Sequence, residues 1–353
     1  MTGRSRAPTL QAVRTRTRST GAVHPALLAL ALMMLLALLL VLGTLVGSAG
    51  LQWPGSAADA VAQRIAFEIR LPRTLGAVLV GALLGLAGAV AQGLFRNPLA
   101  DPFLLGSASG AALGVALALA MWGVSPLAVQ ALARLGVTGA AFAGAMLGVL
   151  LTLALSRGVQ HTLRLLLAGV IVGVVLGACK DLITLARPDV LQGLQGFTLG
   201  HTGFIGWGAC ALMAAVLLPL LVLAWVLGPL LDGLSLGEPT AQSLGLPLAP
   251  LRMALVAALA LATGTAVAQA GLIAFVGLAA PHLVRAMVRT THAALTLLSA
   301  LAGAVLLAAA DIAARTVVAP AEWPVGVMTA VLGGGYLLWR MHRGGLRSSG
   351  GTA

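Results

Sequence analysis

Long apolar stretches separated by short polar turns make up most of this chain of 353 residues. The most constraining one lies at residues 70–114, where an apolar run begins at an arginine-flanked proline. The polar, proline-rich sequence RNPLADP (96–102) interrupts the run, and a second apolar run follows at once. A bilayer accommodates such a break only where the backbone is buried in protein or lines a cavity. The pattern therefore predicts a protein that spans the membrane to move a solute, and is not merely anchored there.

The composition points to the same class of protein. Hydrophobic residues make up 59% of the chain and charged residues 8%, and the mean hydropathy is +1.03. Soluble domains carry about a quarter charged residues. The 45 glycines suggest close helix packing, since small residues let helices approach one another in lipid. We predict an all-α integral membrane protein with a tightly packed bundle.

Ten segments are long and apolar enough to be candidate membrane spans, because a helix needs about 20 apolar residues to cross a bilayer. The first follows a basic tail at residues 1–23, and it exceeds the apolar core of about 7–15 residues in a signal peptide, so we interpret it as an uncleaved span. A single permease-like domain is predicted at 24–341, followed by a short tail at 342–353. The candidate spans are 24–47, 72–93, 103–122, 127–155, 164–186, 207–230, 251–269, 271–288, 293–310 and 324–341.

The distribution of positive charge predicts the orientation. About two-thirds of the 21 lysine and arginine residues fall on one side if the N-terminus is cytoplasmic. An even number of spans then places both termini in the cytoplasm, in a multi-pass protein of the cytoplasmic (inner) membrane surrounded by lipid. The net charge of +12 is explained by this topology, so we do not expect nucleic-acid binding.

An internal echo suggests an inverted repeat. The sequence AVAQGL at 89–94 resembles AVAQAGL at 266–272, and proline-containing breaks follow about ten residues later, at Pro98/Pro102 and at Pro281. The two spans that carry the echo run in opposite directions in this topology, an arrangement common in transporters. Chance similarity in a chain rich in alanine, glycine and leucine is the alternative.

Several motifs in a fixed order identify a family resemblance that covers about residues 24–341. The motifs resemble those of the permease subunits of ABC importers for iron–siderophores, haem and vitamin B12. In the first half they are Arg70-Leu-Pro-Arg73, Gln92, Arg96-Asn97-Pro98-Leu99-Ala100-Asp101-Pro102 and Leu105-Gly106. In the second half they are Leu236-Gly237-Glu238 with Ala241 and Leu244-Gly245, GLIAFVGL at 271–278 with Pro281-His282 and Arg285, and Ala310-Asp311, Arg315, Glu322, Pro324 and Gly326.

The resemblance implies a homodimer around a central pathway, with two cytoplasmic ATPase subunits and an extracytoplasmic substrate-binding protein. It favours an iron complex (ferric siderophore or haem) as the substrate, with vitamin B12 as the alternative. The chain has no G-x-x-x-x-G-K-[ST] phosphate loop, and its only lysine is Lys180. We therefore expect no enzymatic activity, with ATP and magnesium on a separate ATPase. Cys179 and Cys210 have no metal-ligand spacing, and we expect neither a cofactor nor a metal on this chain.

The loop at about 231–250 is the predicted coupling loop that contacts the ATPase. Pro239 and Gly245 bracket a short segment that predicts one or two helical turns, and Glu238 near its start is favoured by the helix dipole. A solvated loop with a capping acid is the alternative. The candidate residues are Leu236, Gly237, Glu238, Ala241, Leu244 and Gly245.

The resemblance implies that Arg70 and Arg315 dock the binding protein by meeting acidic residues on it, and arginine suits this role because it pairs bidentately with carboxylates. The alternatives are a snorkelling arginine at the interface, or an internal pair with Glu68, Asp311 or Glu322. Arg73, next to Pro72, is interpreted as a span anchor.

A third group of residues is predicted to form helix breaks. These bends would let helices repack between inward-open and outward-open states. Asp101 is predicted to cap the third span, with Pro102 as its first residue. His282 has no accompanying nucleophile or carboxylate, so no catalytic residue is predicted. The group comprises Gln92, Asn97, Pro98, Asp101, Pro102, Gly106, Pro281 and His282.

Two further features qualify the resemblance. Lys180-Asp181 lies within a predicted span, where ionisable residues are functional candidates, and this leaves an ion-coupled secondary transporter as an alternative from another class. The chain also departs from the family's usual turn before the ninth span, where it has Arg289-Thr290-Thr291-His292. In the last span, Gly333-Gly334-Gly335-Tyr336 replaces the family's Gly-Xaa-Pro-Xaa-Phe.

Overall fold

The computed structural model describes residues 23–47, 50–51, 60–123, 131–156 and 162–348, and most of them are helical. Of the predicted tails at 1–23 and 342–353, residues 1–22 and 349–353 lie outside the described residues, whereas 342–348 belong to the last helix. A two-residue hairpin (β1, Val46–Gly47; β2, Gly50–Leu51) follows the first helix. The helices are α1 Pro25–Leu45, α2 Ala60–Arg64, α3 Leu71–Phe95, α4 Ser107–Trp122, α5 Ala131–Leu155, α6 Thr162–Ala186, α7 Pro188–Leu199, α8 Trp207–Ser235, α9 Glu238–Ser243, α10 Leu248–Ala270, α11 Val276–Met287, α12 His292–Thr316 and α13 Val325–Ser348, with a π turn at Ile65–Arg70 and a 3-10 turn at Pro102–Leu105.

Seven helices in the described part of the chain are long and apolar enough to cross a membrane. They include α1, the continuous stretch Val61–Phe95 that ends with α3, and α6, α8, α10 and α12, together with Leu135–Leu155 of α5. Two shorter apolar helices, Ser107–Met121 and Val325–Trp339, correspond to the predicted third and last spans. The predicted multi-span helical architecture is confirmed.

The eighth predicted span, 271–288, differs from expectation. An unwound stretch at 271–275 precedes α11, which has only 12 residues and is about 18 Å long, against about 30 Å of hydrocarbon. Gly271 (φ 72°) and Phe275 (φ 68°) adopt left-handed conformations that interrupt the helix. Hydropathy averaged over this segment cannot detect the interruption. The count of ten spans and the side of the termini stay predictions.

Helix α3 lies at the centre of the bundle, with 89% of its most apolar window buried. Helices α8, α10, α11 and α12 pack around it, while α4, α5 and α6 form a second group beside α10. Helix α1 packs on α12 and is mostly exposed on its other faces, as expected for a helix in contact with lipid.

Close backbone approach along α3 depends on glycine. A methyl group at Gly88 would overlap the carbonyl oxygen of Gly277 in α11, and one at Gly81 or Gly85 would overlap a carbonyl oxygen of Gly303 or Ser299 in α12. The tight packing predicted from composition is therefore found at specific crossings of α3 with its neighbours.

We expect Gly88→Ala to destabilise the protein by about 1–3 kcal/mol, because α3 and α11 must separate to admit the methyl group. Gly139→Ala in α5 is the matched control, since nothing lies within 4 Å of the added carbon and alanine favours helix. Thermal unfolding of the detergent-solubilised variants measures the difference. Equal midpoints for the two variants would show that this crossing has room for a methyl group.

Candidate functional site

The break after α3 has the local geometry that the sequence predicts. Helix α3 ends at Arg96, which is left-handed (φ 49°). The side chain of Asn97 accepts a hydrogen bond from the backbone N–H of Leu99 at 2.9 Å, which closes a tight exposed turn that includes Pro98. Two turn-forming residues before prolines thus stop the helix.

Asp101 caps the turn that follows, as predicted. Its Oδ1 accepts a hydrogen bond from the backbone N–H of Phe103 at 2.8 Å, and Pro102 is the first residue of the 3-10 turn. Burial raises the pKa of the Asp101 carboxyl, and the hydrogen bond from Phe103 opposes this effect. Gly106 (φ 81°) then redirects the chain into α4.

Gln92 connects the end of α3 to α11. The side chain is 2% exposed, its Nε2 donates to the carbonyl oxygen of Leu278 at 3.2 Å, and its Oε1 accepts a hydrogen bond from Arg285 Nη1. Pro281 is buried in α11 between these two contacts. The structure therefore brings together two motifs that are about 190 residues apart. In the sequence, only the family resemblance connects them.

The glycine-rich segment of α13 packs against α11 and the turn before it. Phe275 lies against Gly333, where an added Cβ would come within 2.6 Å of the Phe275 Cβ. Tyr336 meets His282 edge to face, with ring centroids 6.1 Å apart, and a cavity of about 210 Å³ is lined by Tyr336 and Phe275 among others. Helix α13 continues through this segment without a break, so the departure from the family pattern yields a ring-on-glycine contact instead of a proline bend.

The coupling loop contains the predicted short helix. Helix α9 begins two residues earlier than predicted, at Glu238, and left-handed Gly237 (φ 106°) and Gly245 (φ 74°) flank it. Ala241 is fully buried, whereas Leu236 and Leu244 are 65% and 62% exposed. The large apolar side chains that this loop exposes are therefore two leucines, with polar residues such as Thr240 and Gln242 beside them, whereas its acid is only partly exposed.

The carboxylate of Glu238 is turned toward the bundle and is only partly exposed. Its Oε1 lies 2.5 Å from Arg252 Nη2 and 3.8 Å from Arg96 Nη2, and it accepts a hydrogen bond from Thr162 Oγ1 at 3.2 Å. Sequence reasoning missed Arg252 and Thr162, because neither has a motif of its own. Arg252 is 4% exposed, and the carboxylate of Glu238 compensates its buried positive charge.

Asp232, the other acid near this loop, joins α8 to the start of α12. Its Oδ1 accepts a hydrogen bond from the backbone N–H of His292 at 3.0 Å and lies 2.6 Å from His292 Nδ1. Thr291 makes no side-chain cap, and the carboxylate from α8 satisfies an N–H of the first turn instead. The first turn of α12 has no acidic residue of its own, and Asp232 of α8 takes that place.

The two candidate docking arginines lie in different environments. Arg70 is half-buried, and its Nη1 donates to the carbonyl oxygen of Leu45 at 3.2 Å. Arg315 is only 1% exposed, and it pairs with Asp311 and donates to Gly43 O at 2.9 Å and to Thr74 Oγ1 at 3.0 Å. The structure thus shows the internal pair with Asp311 that was the alternative for Arg315, and its docking role stays a prediction.

Asp311 is the centre of a buried polar cluster. Besides Arg315, it accepts hydrogen bonds from Arg73 Nε at 3.2 Å and from Thr202 Oγ1 at 2.5 Å. Arg73, interpreted as a span anchor, also pairs with Glu322 at 2.8 Å. Nearby, burial and the charge of Arg73 lower the pKa of His201, so the imidazole is neutral at neutral pH.

Lys180 and Asp181 form an ion pair with each other, 2.7 Å apart. The Asp181 side chain is 69% exposed and that of Lys180 is 25% exposed. The described part of the chain contains no group of three or more histidine, cysteine or acidic residues suited to hold a metal ion.

Comparison with known proteins supports the resemblance. Residues 29–343 match the FecCD transport family. The vitamin B12 import system permease protein BtuC of Salmonella paratyphi A is 42% identical over 319 residues, covering 89% of this chain and 93% of that protein. The hemin transport system permease protein HmuU of Yersinia pestis is 39% identical over 333 residues, covering 92% of this chain and 97% of that protein.

Solved structures agree with the fold. An inward-facing conformation of a metal-chelate type ABC transporter superposes with a TM-score of 0.81 at 30% identity, covering 91% of this chain and 100% of that one. PsaBC from Streptococcus pneumoniae, solved with a Fab, has a TM-score of 0.56 at 18% identity and shows similarity of fold alone. Because the family match extends over residues 29–343 of the 353, this chain belongs to the FecCD transport family and is a multi-pass inner-membrane permease subunit of an ABC importer.

Proposed function

We propose that two copies of this chain enclose the pathway of an importer for a metal chelate, driven by two separate ATPase subunits. The observation that carries this proposal is α9, a short, glycine-flanked helix that follows directly on the transmembrane helix α8 and has exposed leucines on both sides. Such a helix fits a groove on a separate protein. It is the part of the described chain best placed to receive movement from an ATPase.

The proposed topology places α9 in the cytoplasm together with both termini. The unwound stretch at 271–275 and α11 together form the eighth of ten membrane passages, and the two halves are related as an inverted repeat. The polar cluster around Asp311 then lies on the outer side, where a substrate-binding protein docks. The bias of positive charge toward the opposite side supports this assignment.

The proposed substrate is an iron complex, either haem or a ferric siderophore. One close relative is named for hemin transport, and a solved neighbour is described as metal-chelate type. Vitamin B12 is the second candidate, because relatives at 42% identity are named for its import. All three ligands are bulky metal chelates, so the pathway requires a wide opening between the subunits.

A transport assay tests the substrate and the energy source together. We expect proteoliposomes that contain the permease, its ATPase and its binding protein to accumulate either an iron complex or cobalamin. Uptake should require ATP on the side of the membrane that carries the ATPase. Proteoliposomes without the ATPase should show no uptake under a proton gradient. Gradient-driven uptake that is lost in Asp181→Asn would instead establish the secondary transporter with Lys180 and Asp181 as its ion site.

The proposed homodimer is tested by the mass of the purified permease. The protein mass should be near twice 35.3 kDa.

Leu244→Glu should weaken ATPase binding at least tenfold, since burying a leucine at an interface contributes about 1.5–3 kcal/mol. Titration of labelled ATPase against the solubilised permease measures the affinity. Val318→Glu is the matched control, because it places the same charge on an exposed apolar residue between α12 and α13, on the outer side in the proposed topology. Equal affinities for the two variants would remove Leu244 from the docking surface.

Substitutions at the two outer arginines, a charge reversal at Arg70 and a neutralisation at Arg315, should separate docking from folding. Arg70→Glu should slow association with the binding protein about tenfold at low salt, with a smaller effect at high salt, as for a charge at the rim of an interface. Arg315→Gln should lower stability by about 3–5 kcal/mol, because it leaves Asp311 buried with less compensation. Surface plasmon resonance and thermal unfolding measure the two effects. A stable, docking-deficient Arg315→Gln protein would reverse this assignment.

A further inference from the structure

We infer that Glu238 is a positioning residue that transmits movement of α9 to the ends of α3, α6 and α10. The inference rests on the proposed function, and it concerns how movement passes within this chain after an ATPase has docked. The exposed leucines of the loop contact the partner, whereas the acid ties the loop to the bundle.

The contacts converge on one atom. Glu238 Oε1 meets Arg252 Nη2 at 2.5 Å, Thr162 Oγ1 at 3.2 Å and Arg96 Nη2 at 3.8 Å. Arg252 lies in the second turn of α10, Thr162 is the first residue of α6, and Arg96 is the residue on which α3 ends. A displacement of α9 therefore acts on three other helices through a single carboxylate.

The three contacts differ in strength. The Arg252 side chain is 5% exposed and that of Glu238 is 27% exposed, so water reaches this pair only from the side of the carboxylate, and separating the two would remove the carboxylate from a buried guanidinium. The Arg96 side chain is 42% exposed and its distance to the carboxylate is longer, so solvent weakens this contact. Helices α9 and α10 thus move as one unit, while the contact with Arg96 can form and break at small free-energy cost.

Arg96 leads directly to the break. Its backbone N–H bonds to the carbonyl oxygens of Gln92 and Gly93, and the Gln92 side chain holds α11 through Leu278 and Arg285. Arg96 is also held in the left-handed region (φ 49°), which costs an L-residue about 1–2 kcal/mol per residue. The contact with Glu238 therefore acts on a backbone turn that is already strained, and from there on α11.

Three variants test this chain of contacts in the assembled transporter: Glu238→Gln, Arg96→Gln and the double variant. Each should retain ATPase binding and the KM for ATP within about twofold, and each should lower the substrate imported per ATP by about fivefold, within the range for coupling residues that touch neither ligand. The double variant should import no less per ATP than Glu238→Gln alone, because both changes remove the same contact.

Asp189→Asn in α7 is the matched control, since this exposed carboxylate also pairs with an arginine, Arg187, but is not in contact with α9. Glu238→Asp should keep more of the coupling than Glu238→Gln because it keeps the charge. Loss of ATPase binding in Glu238→Gln, or single-variant effects that multiply in the double variant, would overturn the inference.

If Glu238→Gln does not fold, Arg96→Gln decides the question, and unchanged import per ATP in that variant overturns the inference. Failure of the unmodified complex to import any substrate with ATP would instead count against the proposed function itself.

Discussion

The bundle depends on the backbone of α3 coming into direct contact with its neighbours. In a bilayer, apolar side chains gain nothing by leaving lipid for protein, so helix association relies on close packing and on hydrogen bonds. Glycines at positions 81, 85 and 88 let α3 meet carbonyl groups of α12 and α11 without intervening side chains. This contact holds α11 in place, since α11 is too short to span the hydrocarbon core on its own. The side chain of Gln92 can reach Leu278 and Arg285 only because the two helices are this close.

Much of the helical framework could be predicted from the sequence, because span length and local capping are encoded within one segment. The apolar runs predicted nine of the helices, with ends that differ by up to seven residues, and the Asp101 cap and the short helix α9 follow from turn chemistry at neighbouring positions. The exception at 271–288 has a clear cause: Gly271 and Phe275 unwind a segment that is as hydrophobic as its neighbours. Hydropathy reports the preferred solvent of a segment, and it carries no information on backbone dihedral angles.

The charged residues show where prediction from one sequence stops. The family resemblance implied that Arg315 faces a binding protein and that Glu238 belongs to the coupling loop, but it did not give the direction of either side chain. Their orientation is set by residues on other helices, Asp311 with Thr74 in one case and Arg252 with Thr162 in the other. Thr74 and Arg315 are 241 residues apart in sequence, and nothing local in either segment announces the hydrogen bond. Family resemblance named the residues, while the direction of each side chain required the structure.

The bond between Asp232 and His292 has a consequence for recognition. Asp232 fixes the chain to α12 six residues before the place where Glu238 fixes it to α10, so the loop is anchored once before Leu236 and once between its two exposed leucines. Its backbone has lost conformational freedom during folding of the bundle, and not at the moment of encounter. A partner that binds there meets a preorganised shape, and ordering of the loop takes away little of the association free energy. Two internal acid–base contacts, neither of which touches another protein, thereby favour tight binding at a surface that is itself almost uncharged.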